Sequence, residues 1–133
     1  MKILVITAAW LAYLATGAAA TPYAGTTPMK CTIQTVMVCN DPSTCVRGTA
    51  ATVNLPPVLV VDVASKLITG AATGRSVKIM SVDRGAGKMM LRGLDVHTLG
   101  VAWDLVVDEK SGTMSAAVLS QGGYLLFGRC AEP

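Results

Sequence analysis

One stretch of this chain is used twice. Leu59-Val60-Val61-Asp62-Val63-Ala64-Ser65 returns as Leu105-Val106-Val107-Asp108-Glu109-Lys110-Ser111, with a constant offset of 46 residues. The match runs on, because Ile68-Thr69-Gly70-Ala71 stands opposite Met114-Ser115-Ala116-Ala117. Each copy reads as an apolar strand closed by an Asp, a polar turn, and a return strand of small and apolar residues, which is a β-hairpin. A weaker echo joins Met89-Met90-Leu91-Arg92-Gly93 to Tyr124-Leu125-Leu126-Phe127-Gly128. Two hairpins of one plan point to antiparallel β-structure.

The remaining segments agree. Cys31 to Cys39 is the first strand, with Cys31, Ile33, Met37 and Cys39 on its better apolar face. Asn40-Asp41-Pro42-Ser43-Thr44 is turn chemistry, since Asn, Asp and Ser bond their own backbone and Pro fixes φ. Cys45 to Leu55 is a weaker strand, ended by Pro56-Pro57. Ser76 to Val82 reads as one strand, and Asp83-Arg84-Gly85-Ala86-Gly87 as a tight hairpin loop leading into Lys88 to Val96. Val101, Trp103, Leu105 and Val107 alternate against Ala102, Asp104 and Asp108, the cleanest period-two signal in the chain. Thr113 to Leu119 and Tyr124 to Cys130 complete the set. Turn signals recur every eight to twelve residues, and no window carries an amphipathic helix. The fold class is therefore all-β: a single small antiparallel meander of about eight strands, stapled by disulfides and either closed as a barrel or folded as a sandwich. Gly93 and Gly128 fall inside strands, where a missing side chain marks a bulge or corner.

The N-terminus has a different character. Met1-Lys2, an apolar or small run from Ile3 to Gly17, and Ala18-Ala19-Ala20 have the layout of a signal peptide over residues 1–20. The apolar run is shorter than the roughly 20 residues of a membrane span, so no stable span is expected after cleavage. Residues 21–30, rich in Thr, Pro and Gly, read as a flexible lead-in, and 31–133 as one β-domain. The formal charge of +3 falls to +2 without Lys2. So small a value, spread along the chain, points away from nucleic acid as a partner.

The four cysteines, 31, 39, 45 and 130, all follow the leader, the arithmetic of two disulfides in an oxidising compartment: the periplasm or the cell exterior. They form no close C-x-x-C pair for a metal, and one His cannot make up the set. Cys31–Cys39 would bridge extended chain on the order of 26 Å long and is excluded if that segment is a strand. Cys31–Cys45 with Cys39–Cys130 suits a parallel last strand. Cys31 opens the first strand and Cys130 closes the last, so antiparallel neighbours bring these ends together. Cys39 and Cys45 flank a five-residue turn. The expected pairing is Cys31–Cys130 with Cys39–Cys45.

Candidate chemistry is thin. Arg84-Gly85-Ala86-Gly87-Lys88 resembles the tail of a phosphate loop, but Val82 and Met89 occupy the places that need Gly and Ser or Thr, so it is a hairpin turn. His97, the only histidine, would act as a general base if oriented by Asp95 or Asp104, yet Thr98 and Gly100 place it in a turn. Asp62 and Asp108 could be paired carboxylates; an Asx-turn repeated in each hairpin accounts for them better. Trp103 lies on the inward face, as a core anchor rather than a ligand platform. No catalytic residue, cofactor or metal site is assigned.

The expected function is therefore a non-catalytic, monomeric, exported β-domain of binding or inhibitor type, acting on an unidentified protein or small ligand. For an inhibitor, Arg75, Arg84 and Lys88, placed on neighbouring turns, are the possible loop contacts. A carrier needs an internal cavity, which small Ala, Gly and Thr positions permit, although a filled core is expected at this length. The alternatives are a small hydrolase using His97 with a nearby carboxylate, and a structural subunit of an envelope assembly pairing through an open sheet edge.

Overall fold

The alternation at Val101–Val107 becomes a strand in which Trp103, Leu105 and Val107 turn inward and Asp104 turns to solvent. The structure, a computed structural model, describes residues 27–95 and 100–131. The expected leader, residues 21–26 of the expected lead-in, Val96 and His97 lie outside the described residues.

Among the described residues ten strands occur in chain order: β1 (Met29–Asp41), β2 (Thr44–Gly48), β3 (Val58–Asp62), β4 (Leu67–Gly70), β5 (Ser76–Lys78), β6 (Ser81–Gly85), β7 (Lys88–Leu94), β8 (Ala102–Asp108), β9 (Thr113–Leu119) and β10 (Gly123–Ala131). All belong to one antiparallel sheet in the order β5-β4-β3-β1-β10-β9-β8-β7-β6, with β2 hydrogen-bonded to β1 off this path. The sheet curls into a half-barrel, which decides between barrel and sandwich. Its two outermost strands, β5 and β6, are successive in sequence. The Ile79 N–H donates to the Lys66 carbonyl at 2.9 Å and the Met80 N–H to the Arg92 carbonyl at 2.9 Å. One extended run thus leaves β4 and joins β7, tying the two edges of the curl together.

Here the structure departs from the expected single strand Ser76–Val82. Ile79 is buried and Met80 exposed, so the run changes partners between them. The expected strand Cys45–Leu55 also stops early, at Gly48. Thr52 Oγ1 donates to the Thr49 carbonyl and accepts from the Thr49 N–H, drawing Ala51–Val53 into a 3-10 turn; hydroxyls compete with strand pairing in this way. The strand β1 begins at Met29, so Met29 and Lys30 belong to the sheet and not to the lead-in. The β6–β7 loop narrows to Ala86-Gly87, both at positive φ (50° and 72°), as a type I′ hairpin requires.

Both expected disulfides are present, Cys31–Cys130 and Cys39–Cys45. Each joins residues directly opposite in the ladder, β1 against β10 and β1 against β2. Gly128 faces Ile33 beside a β-bulge in β1, where the register shifts between Ile33 and Thr35. A side chain there would run into the Thr32 carbonyl and the Met114 methyl. Gly93 faces Trp103 across β7 and β8, and its missing Cβ makes room for the indole, whose ring carbons lie 2.6 and 2.8 Å from where that Cβ would stand.

Inward residues stack in layers from one end of the curl to the other. Met89, Val107, Met114 and Ile33 form the layer nearest the β6–β7 and β8–β9 turns. All are buried, Met29, Val61 and the Cys31–Cys130 bridge belong to the same core, and the unbranched methionines fit the irregular gaps. Leu91, Leu105, Ala116, Leu126 and Val36 come next, then Gly93, Trp103, Val118, Tyr124 and Val38.

Candidate binding cavity

Filling is unequal between the layers. The end that carries the β3–β4, β6–β7 and β8–β9 turns is closed by large side chains. Toward the other end, inward positions hold Gly70 and Ala116, and a cavity of about 480 Å3 remains. That volume is within the range of small-molecule sites. The filled core expected from chain length is therefore not what forms. A barrel's interior volume is set by strand number and stagger, and a chain poor in bulky aromatics does not fill it.

The walls are apolar, built by Leu59, Ile68, Leu105, Val118, Leu126 and Trp103. Trp103 is thus both a core residue and a wall of the cavity. Its Nε1–H is buried and has no hydrogen-bond partner among the described residues. The mouth is polar, where Arg75, Ser76, Asp95 and Tyr124 also line the space. Burial pushes the Tyr124 phenol above its ordinary value and the charge of Asp95 adds to this, so the hydroxyl keeps its proton at neutral pH and remains a donor.

Arg75 is held from three sides. Its carbonyl accepts from Gly70 N–H at 2.8 Å, its N–H donates to Thr73 Oγ1 at 3.3 Å, and its Nη2 donates to the Asn54 carbonyl at 2.9 Å. The left-handed conformations of Gly74 (φ 68°) and Asn54 (φ 54°) set the two loops that meet there. Ion pairs among the described residues are Arg84–Glu109, Lys88–Asp108 and Arg92–Asp104, and Arg75 belongs to none of them.

The three expected loop cations do not share an end of the molecule. Arg84 and Lys88 flank the β6–β7 turn at the closed end and pair with Glu109 and Asp108, while Arg75 immediately precedes β5 at the cavity mouth. The chain reverses direction at each hairpin, so turns close in sequence alternate between ends. Asp62 and Asp108 both sit at the closed end. Asp62 Oδ1 accepts from the Ser65 N–H at 3.0 Å, and Asp108 Oδ1 from the Lys110 and Ser111 N–H groups at 3.0 and 2.8 Å. These bonds hold both carboxyls below the usual carboxylate range, Asp108 at about 2 with help from Lys88. They are turn caps, each directed at its own loop. Asp95, read from sequence only as a partner for His97, is one of the residues that line the cavity, and His97 itself lies outside the described residues. Gly70 and Ala116 were the local signal for the space. Among the described residues no group of three or more His, Cys, Asp or Glu is placed to hold a metal ion.

The fold and site define a small all-β domain, stapled by two disulfides and curled around an apolar cavity with a polar mouth. No known protein family, curated protein or solved structure matches the chain.

Proposed function

We propose that this protein is an exported, non-catalytic binding domain that holds a small, largely apolar ligand inside its curled sheet. The observation that carries the reading is the cavity: about 480 Å3 with apolar walls and hydrogen-bonding groups gathered at one end. Export is supported by the leader-like residues 1–20 and by two disulfides, which persist in oxidising compartments. The use of Asp62 and Asp108 as turn caps remote from the cavity speaks against reading those two as a pair of catalytic carboxylates.

Titration with an apolar fluorophore such as N-phenyl-1-naphthylamine tests this directly. Saturable one-to-one binding is expected, and Ala116→Leu, which extends a side chain into the cavity from β9, should weaken it at least tenfold while the protein still melts cooperatively. No saturable binding, or binding indifferent to Ala116→Leu in a folded protein, would refute it. A hydrolase screen that detected activity lost on His97→Ala would favour the enzymatic alternative.

A further inference from the structure

We infer that the ligand is an anionic amphiphile, an apolar chain or ring system bearing one carboxylate or similar acidic head, bound tail-inward with its head against Arg75. This rests on the cavity being a binding site, and three observations add the charge. Apart from the indole N–H of Trp103, the polar side chains that line the space stand at its mouth, so a ligand that fills it is apolar along most of its body with its charged or polar head at one end. Of the two charged groups at the mouth, Asp95 already has an interaction of its own, while Arg75 gives a single side-chain hydrogen bond to a neutral carbonyl. Its positive charge is met by no carboxylate among the described residues, in contrast to Arg84, Lys88 and Arg92.

The bond from Nη2 to Asn54 restrains the exposed guanidinium and leaves most of its five donors unused. A planar fork held this way is pre-organised for a carboxylate, and little side-chain freedom is lost when one binds. Tyr124, protonated at neutral pH, supplies a further donor at the same mouth. A cationic head would meet Arg75 with like charge, and an uncharged head would leave that charge unanswered.

Decanoate, decanol and decylamine share one tail and differ in the head, which makes them suitable probes. Calorimetric titration should rank decanoate above decanol by at least tenfold and decylamine last. The variant Arg75→Gln should bring decanoate down to the affinity of decanol and leave decanol unchanged, which separates loss of charge recognition from loss of the cavity. Trp103 is the only indole once residues 1–20, with Trp10, are removed, and its emission should shift with all probes that bind. Equal binding of decanoate and decanol by the unaltered protein, preference for decylamine, or a preference for decanoate that survives Arg75→Gln would each overturn the assignment while the cavity stands. Failure of all three probes together with the fluorophore would remove the binding reading itself.

Discussion

Lys66 and Gly112 occupy the same place in the two hairpins, and both have left-handed backbone, at φ 56° and 73°. Glycine adopts this conformation without a Cβ clash, whereas a lysine there carries strain on the order of 1 kcal/mol. The first hairpin therefore keeps an unfavourable residue where the second has the favourable one. Lys66→Gly should stabilise the protein by about 0.5–1 kcal/mol and Gly112→Ala should destabilise it by a similar amount. Urea unfolding of both variants checks this, and a destabilised Lys66→Gly would mean that the lysine side chain contributes more than its backbone costs. The caps of the same turns respond to acid. Asp108 titrates at about 2 in the folded protein against 3.8 for a free carboxyl, so its ionised form stabilises the fold above pH 3.8 and that contribution is lost as pH falls toward 2. Asp41, bonded to Ser43, and Asp62, bonded to Ser65, shift in the same direction. Melting temperatures of the native protein and Asp108→Asn should differ near neutral pH and converge by about pH 2; a gap constant with pH would show that the charge of Asp108 is not what matters.

Among the elements, β1 has the most demanding position. It pairs with β10 along most of its length, with β3 near its start and with β2 near its end, and it carries one half of each disulfide. The two bridges close loops of very different size, with sequence separations of 99 and 6. In the chain-entropy account a loop of that larger size stabilises by about 4.7 kcal/mol, and one below 15 residues by less than about 3. Replacing Cys31 and Cys130 together by Ser should cost more stability than replacing Cys39 and Cys45, as measured by denaturant midpoints. The reverse order would show that the small bridge shapes the β1–β2 hairpin more than it shortens the unfolded chain. These pairings were legible in the sequence because Cys31 and Cys130 sit at the two extremes of strands with clear alternation. The strand at Ser76–Val82 was legible only in part. Val77 and Ile79 are apolar on one parity and Met80 and Val82 on the other, a change of phase that marks the passage from β4 to β7. Periodicity alone does not say which neighbours a strand takes on either side of such a change.

At the scale of the whole molecule, the shape of the cavity depends on that passage. Met80→Pro removes the N–H that bonds Arg92 and should loosen the junction, costing about 1–3 kcal/mol and weakening fluorophore binding, whereas Met80→Ala, which trims an exposed side chain, should do neither. Thermal melts and titrations of the pair decide it, and equal behaviour of the two variants would rule out a role for the backbone bond. The cavity itself was scarcely legible in advance, since its walls come from six strands and three loops and only small residues such as Gly70 and Ala116 hint locally at the space. Arg75 and Asn54, which meet at the mouth, lie 21 residues apart with two strands between them. The bridge from Cys31 to Cys130 has a topological consequence as well. It turns nearly the entire domain into a covalent ring, so a protease that cuts any one loop between those residues opens the ring without releasing a piece. The severed ends stay tethered to the same sheet, and the nicked protein runs as a single species until its disulfides are reduced.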